Sequence, residues 1–190
     1  MDDDTIVIVS GLPRSGTSMM MEILEKGGME VLTDKVRQAD EDNPKGYYEY
    51  ERVKGLPKDT TWLQDAKGKA VKVLGEQIKH LPEGYRYKVI FMERELDEVI
   101  ESQEKMLIRK GKDPDEISKD ELKSILSDYM SMLKKQISSH KDMDVIYLNY
   151  NDIMSLPKHV IESISVFLSD SLNAKEMQAV VDEELYRNRA

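Results

Sequence analysis

A glycine- and hydroxyl-rich loop between a buried strand and a helix constrains this chain more than any other feature. The run Thr5–Val9 is β-branched and apolar, as is typical of a buried parallel strand. Residues 10–18 follow it as Ser-Gly-Leu-Pro-Arg-Ser-Gly-Thr-Ser, and a helix fits from Ser15 to Lys26. Gly11 and Gly16 allow a backbone that directs several N–H groups into one concavity, where the helix N-terminus adds positive potential. The unit is typical of a phosphate-binding loop, and the alternative is a tight turn with a serine cap.

The rest of the chain alternates strands with helices, which predicts an α/β fold with a parallel sheet flanked by helices. Residues 32–63 are polar, aromatic and irregular. The predicted elements after the first helix are strands at 70–74, 87–92 and 145–148 and helices at about 96–110, 118–137, 157–167 and 174–184. The helix at 118–137 opens with a capping box, Ser118 and Glu121, and its helically spaced apolar residues predict that it faces the core.

Length and composition predict one domain over residues 1–190 in the cytoplasm. A chain of this length usually forms about one domain, and 39% hydrophobic residues suffice for one core. No apolar run approaches the ~20 residues that span a bilayer. The acidic start, Asp2 to Asp4, is unlike a signal peptide. The chain has no cysteine, which excludes disulfides and thiolate chemistry.

The net charge of −9, from 28 Lys+Arg against 37 Asp+Glu, argues against nucleic acid and anionic membranes as partners. A local cationic pocket for a small polyanion remains compatible with this charge. The three histidines, His80, His140 and His159, are scattered and show no metal-ligand spacing. We therefore expect a small-molecule, carbohydrate or lipid substrate and no metal, and the sequence carries no signal of an oligomeric state.

The loop differs from that of nucleotide kinases in the residue that follows the second glycine. In the kinase pattern Gly-x-x-x-x-Gly-Lys-[Ser/Thr], the lysine grips the β- and γ-phosphates. Thr17 occupies that position here, and the cation is Arg14, earlier in the loop. A small-molecule kinase or nucleotide hydrolase is thus a rival interpretation that lacks its main cation.

The loop instead resembles the 5′-phosphosulfate loop of the sulfotransferase superfamily, Pro-[Lys/Arg]-Ser-Gly-Thr-[Thr/Ser]. The resemblance implies a three-layer, P-loop-kinase-like fold and the transfer of a sulfuryl group from 3′-phosphoadenosine 5′-phosphosulfate (PAPS), which leaves adenosine 3′,5′-bisphosphate (PAP). The residues that it implies in binding the 5′-phosphosulfate are Pro13, Arg14, Ser15, Gly16, Thr17 and Ser18.

A second match comes from Arg94, at the end of the strand at 87–92, and Ser102, eight residues later on the next helix. The superfamily has an arginine and a serine at this spacing, and the resemblance implies that they bind the 3′-phosphate. An arginine can hold a phosphate in a bidentate manner, and ligands of open α/β sheets bind at the carboxyl ends of the strands. The alternative is a surface ion pair between Arg94 and its acidic neighbours.

The resemblance also suggests catalytic groups. Arg14 and Lys72 are candidates to stabilise the sulfonate and the leaving phosphate, although Lys72 could also be a surface charge. Many sulfotransferases carry a histidine two residues after such a lysine, and Leu74 stands there. Glu49 is the main candidate base, in a region where other sulfotransferases use a glutamate. The further candidates are Glu51, Glu76 and His80, and His80 could equally be a surface loop residue.

Weaker similarities to short bacterial sulfotransferase-family proteins lie at 43–49, 150–153 and 185–189. In the last segment, Arg187 and Arg189 either close over the 3′-phosphate or interact with the end of a helix. Aromatic residues cluster nearby in sequence and either pack or line an acceptor or adenine site; they are Tyr47, Tyr48, Tyr50, Trp62 and Tyr85. The missing histidine keeps open a second rival, a non-catalytic PAP-binding protein.

Overall fold

A five-stranded parallel sheet forms the centre of the computed structural model, which describes residues 3–34, 36–37, 39–40, 43, 46–111, 117–169 and 172–181. The strands of this sheet are β1 (Thr5–Gly11), β2 (Val31–Leu32), β3 (Ala70–Lys72), β4 (Arg86–Glu93) and β5 (Met143–Asn149). Their order is β2-β3-β1-β4-β5, and every neighbouring pair is parallel. The central strand β1 therefore has β3 on one side and β4 on the other.

Helices cover both faces of this sheet and complete a three-layer α/β fold of the P-loop-kinase-like class, as the sequence predicts. The helices in the described ranges are α1 (Thr17–Lys26), α2 (Leu96–Arg109), α3 (Lys119–Ser139), α4 (Tyr150–Ser155), α5 (Pro157–Phe167) and α6 (Ala174–Gln178). Short 3₁₀ turns span Glu51–Gly55, Thr61–Gln64 and Gly75–His80.

Alternation along β1 divides the core between the two faces of the sheet. Val7 and Val9 belong to the cluster with α1, α5 and α6. Ile6 and Ile8 belong to the opposite cluster, with α3 and the 3₁₀ turns. Every residue of β1 is buried, which agrees with its continuous apolar sequence and its central place between two parallel neighbours.

Two elements were not predicted, and both are too short to carry a periodic signal. β2 has two residues, and α4 has six and follows β5 without a loop. The last helix ends at Gln178 instead of 184, and residues 182–184 lie outside the described residues. β3 ends at Lys72 instead of 74, and a 3₁₀ turn begins three residues later, at Gly75.

The expectation that the helix at 118–137 faces the core along its length is wrong for its first half. Leu133 and Ile137 are buried, whereas the side of α3 that carries Ile125 is open and Ile125 is 48% exposed. A helix of 21 residues is about 31 Å long, while the seven-residue β5 extends about 23 Å. The helix is longer than the strand that it packs beside, so its helical apolar spacing continues where no sheet lies beneath it.

Alanine substitutions along α3 test this division. We expect Leu133→Ala to lower the free energy of unfolding by about 2–5 kcal/mol, because it removes a fully buried side chain. Ile125→Ala is the matched control and should change it by about 0.5 kcal/mol or less. Urea denaturation measures both, and equal losses at the two positions would contradict the described exposure of the first half of α3.

Candidate functional site

Three cationic side chains lie at the carboxyl ends of three neighbouring strands. Lys72 is the last residue of β3, Arg94 directly follows β4, and Arg14 lies three residues beyond the end of β1. Because β3, β1 and β4 are adjacent, these residues share one edge of the sheet. The chain leaves β1 towards β2 on one side of the sheet and leaves β4 towards β5 on the other. The carboxyl edge between two such strands is where open α/β sheets form ligand crevices. The cations that the sequence singles out are thus brought together.

The phosphate-loop motif forms a closed turn. The Ser15 backbone N–H and its hydroxyl both donate to the Leu12 carbonyl, at 3.2 and 2.7 Å. Gly11 has φ +143°, and a Cβ there would lie 2.5 Å from the Met92 carbonyl oxygen, so a side chain at this position would collide with β4. Gly16, with φ +92°, is the N-cap of α1. The alternative of a serine-capped turn is therefore wrong, because Ser15 bonds back to Leu12 and the cap residue is a glycine.

Tyr150, the first residue of α4, packs against this loop. A Cβ on Gly16 would lie 2.5 Å from Tyr150 Cδ2, so only glycine leaves room for the ring. On the other side, the Arg94 guanidinium lies 4.3 Å from the centre of the same ring. Burial raises the pKa of the Tyr150 hydroxyl, and the charges of Arg94 and Arg14 oppose that rise. In the sequence analysis, Tyr150 falls only within a segment of weak resemblance, 150–153.

The two predicted anion-binding motifs, the loop at residues 13–18 and the pair Arg94 and Ser102, contact each other. Arg14 Nε donates to Ser102 Oγ on α2 at 2.9 Å. Arg94 Nη1 donates to the Arg14 carbonyl oxygen at 3.2 Å. Ser102 is 3% exposed, so this hydrogen bond is largely shielded from solvent. The arginine of the first motif is thus bonded to the serine of the second, and the arginine of the second to the backbone of the first.

Arg94 also forms an ion pair with Glu98, one turn along α2. Arg94 Nε lies 2.7 Å from Glu98 Oε2, and the two side chains are 8% and 1% exposed. The sequence left open an ion pair at the surface; Arg94 does form an ion pair, but this pair is buried. Such burial is expensive unless the charges have well-placed partners.

Lys72 is buried rather than on the surface. The residue is 5% exposed, and Nζ donates to Ser18 Oγ at 3.2 Å and to the Tyr47 carbonyl oxygen. Burial lowers the pKa of Lys72 to about 8, a shift that the negative charge of Glu49 partly opposes and the positive charge of Arg37 assists. The lysine therefore joins the start of α1 to the segment that carries the candidate base.

Among the candidate bases, Glu49 is in electrostatic contact with Lys72. Glu49 Oε1 accepts a hydrogen bond from Arg37 Nη1 at 2.8 Å, and its side chain is 23% exposed. Glu51 is exposed and pairs with Lys54 at 2.6 Å. The two candidates that lie on the 3₁₀ turn after β3 are Glu76, which is exposed and 3.7 Å from Lys79, and His80, which is half-buried.

The aromatic residues that the sequence groups together divide between packing and the site. Tyr50 packs edge-to-face on the buried Trp62, with ring centres 5.6 Å apart. Tyr85 precedes β4 and contacts Tyr87, so it lies at the amino edge of the sheet, away from the cations. Tyr47 is buried and lies under the Arg37 guanidinium, 3.3 Å from the ring centre. Packing therefore accounts for Tyr50, Trp62 and Tyr85.

Three residues near the cations were not predicted: Glu98, Tyr150 and Arg37. For Tyr150 a signal exists, since it directly follows the carboxyl end of β5. Glu98 and Arg37 lack one, because each is one of many charged residues on a helix or in an irregular segment. Arg187 and Arg189 lie outside the described residues.

Within the described ranges, no group of three or more His, Asp or Glu side chains is arranged to hold a metal ion. In the same ranges, no helix has the length and apolar character needed to cross a bilayer.

Comparison with solved structures finds similar folds among sulfotransferases. The mouse sulfotransferase SULT7A1 complexed with PAP is 17% identical with a TM-score of 0.50, over 95% of this chain and 63% of that one. The sulfotransferase domain of the Synechococcus PCC 7002 olefin synthase is 14% identical with a TM-score of 0.53, over 100% of this chain and 84% of that one. The sulfotransferase STF9 from Mycobacterium avium is 14% identical with a TM-score of 0.52, over 100% of this chain and 70% of that one.

This chain thus spans less than two thirds of the length of the mouse protein. A search of curated proteins finds no match. The sequence model described as "Sulfotransferase domain" matches residues 3–188, nearly the whole chain. The alternation of strands and helices, the loop after β1 and this match agree, and the chain belongs to the sulfotransferase domain family.

Proposed function

We propose that this protein is a sulfotransferase that moves a sulfuryl group from PAPS to a hydroxyl or amine of a small-molecule, carbohydrate or lipid acceptor, in the cytoplasm. The observation that carries the proposal is the direct contact between the two proposed anion-binding motifs. Arg14 of the loop bonds to Ser102, and Arg94 bonds to the backbone of the loop. A nucleotide with anionic groups on both its 5′ and 3′ positions needs two such motifs side by side. Family membership supports the same reaction.

The described residues fit PAPS. The turn brings the Gly16 N-cap and the start of α1 to the carboxyl edge of the sheet. There the 5′-phosphosulfate would be bound by Pro13, Arg14, Ser15, Gly16, Thr17 and Ser18. Arg94 and Ser102 would hold the 3′-phosphate from the adjacent strand end and helix. Arg187 and Arg189 remain proposed further contacts to that phosphate.

In the proposed reaction, the acceptor oxygen or nitrogen attacks the sulfur of PAPS as the bond from sulfur to the 5′-phosphate oxygen breaks. The acceptor gives up its proton to a base, for which we propose Glu49, and PAP leaves with the electron pair of the broken bond. Arg14 and protonated Lys72 would stabilise the charge on the sulfonate and on the leaving phosphate. Each cation is held in place by a hydrogen bond to a serine, Arg14 to Ser102 and Lys72 to Ser18.

Nucleotide binding tests the donor. We expect PAP to raise the Tm of the protein more than Mg²⁺-ATP does, because the proposed site would bind a 3′-phosphate, which ATP lacks, and because Thr17 stands where kinases have their lysine. Arg94→Ala should weaken PAP binding by about 1.5–3 kcal/mol in calorimetry, as expected for a lost charge-assisted contact. Arg109→Ala, at the end of α2, is the control. Stabilisation by Mg²⁺-ATP and not by PAP would favour a kinase instead.

Transfer of sulfate from PAPS, measured over a broad acceptor panel, tests the reaction itself. Once an acceptor is found, Arg14→Ala should lower kcat by a larger factor than it weakens PAP affinity, because Arg14 is proposed to act mainly on the transition state. Equal losses would reduce Arg14 to a binding residue. PAP binding without transfer to any acceptor would identify a non-catalytic member of the family.

The pH dependence tests Lys72. Its pKa in the folded protein is lowered to about 8, so the ammonium is fully charged below that pH and is lost above it. We expect kcat/KM for PAPS to fall as pH rises through about 8, since the neutral amine cannot stabilise an anion. Lys72→Arg should retain activity at higher pH, because a guanidinium stays protonated. An unchanged profile in Lys72→Arg would exclude Lys72 as the titrating group.

A further inference from the structure

We infer that Glu98 is a positioning residue that fixes the Arg94 guanidinium for recognition of a 3′-phosphate. This inference rests on the proposed function, and it concerns a residue that belongs to neither of the two proposed anion-binding motifs. Glu98 lies on α2 between Arg94 and Ser102 in sequence, on the buried side of the helix. Its side chain is 1% exposed, which makes it a deeply buried carboxylate.

Each carboxylate oxygen of Glu98 accepts a hydrogen bond from a different element. Oε2 accepts from Arg94 Nε at 2.7 Å. Oε1 accepts from Asn151 Nδ2, on α4, at 2.9 Å. The carboxylate therefore ties the arginine after β4 to the helix after β5. A buried carboxylate with two oriented donors is held in one place, so it can hold its partners in place as well.

The contact with Nε determines what the rest of the guanidinium can do. Nε is the nitrogen nearest the backbone, and its bond to Glu98 restricts the rotation of the whole guanidinium. Nη1 contacts the Arg14 carbonyl at 3.2 Å, and the guanidinium lies over the Tyr150 ring at 4.3 Å. Contacts from α2, the phosphate loop and α4 thus fix one plane for a group that otherwise loses much rotamer freedom when it binds a ligand.

Glu98 also has an effect in the opposite direction, because a negative charge near a phosphate weakens its binding. In the contacts described, the carboxylate accepts from Nε and the Arg14 carbonyl accepts from Nη1, so the two oxygens hold different nitrogens of one guanidinium. Without Glu98, a buried guanidinium loses its partner at Nε and its fixed plane. We therefore expect loss of orientation to outweigh loss of repulsion.

The experiment compares calorimetric affinities for PAP and for adenosine 5′-monophosphate, which lacks the 3′-phosphate. We expect Glu98→Gln to weaken PAP binding by about tenfold, as is usual when a partner that orients a binding group is lost. Its affinity for the monophosphate should match that of the unmodified protein. The matched control is Glu101→Gln, the same change on the same helix, where Glu101 is 43% exposed and pairs with Lys105 at 2.7 Å.

A second pair of variants separates positioning from a general packing role. If Glu98 acts through Arg94, the Glu98→Gln change should have no further effect on PAP affinity in an Arg94→Ala protein. Equal weakening of PAP and monophosphate binding, or tighter PAP binding, would overturn the inference. Should Glu98→Gln fail to fold, Glu98→Asp keeps the charge and shortens its reach, and it must still weaken PAP selectively.

The unmodified protein is measured first, because its result concerns the proposed function alone. No preference for PAP over the monophosphate would refute the 3′-phosphate site. A clear preference that Glu98→Gln leaves unchanged would refute only the role of Glu98.

Discussion

The hydrogen bond from Arg14 Nε to Ser102 Oγ is the contact on which the arrangement of the site depends. It joins the loop after β1 to the helix after β4, and the return contact from Arg94 to the Arg14 carbonyl closes the link. Both contacts exist because β1 and β4 pair in parallel over seven residues, which brings their carboxyl ends to the same level. The parallel register of two strands thus places the two proposed anion-binding motifs next to each other.

The acidic excess of the chain and its cationic site are compatible because they occupy different places. The net charge of −9 is a property of the whole chain. Lys72 and Arg94 are nearly buried, and their charges are compensated locally by a carbonyl, hydroxyls and Glu98. A small polyanion at this edge would meet oriented donors at short range, where the screened charge of distant surface carboxylates has little effect.

The sequence predicts the parts of the fold that carry a periodic or a local signal. The buried strands, the four longer helices and the glycines of the loop each leave such a signal, and the structure contains them. The sequence does not predict which charged side chains are buried. Glu98 and Glu101 are the same residue type on the same helix. Glu98 pairs with Arg94 because it lies on the buried side of α2, whereas Glu101 lies on the exposed side and pairs with Lys105. Likewise, Tyr47 and Tyr50 differ only in what the chain packs against them.

Tyr150 has a consequence for the spacing of the site. One edge of its ring occupies the space that a side chain on Gly16 would need, and one face lies beneath Arg94. The ring therefore limits how closely Gly16 and the Arg94 guanidinium can approach each other, while the bond from Arg94 to the Arg14 carbonyl holds the loop and the arginine together. An aliphatic side chain of similar volume could change shape and let Gly16 and the guanidinium move closer, whereas the ring is rigid.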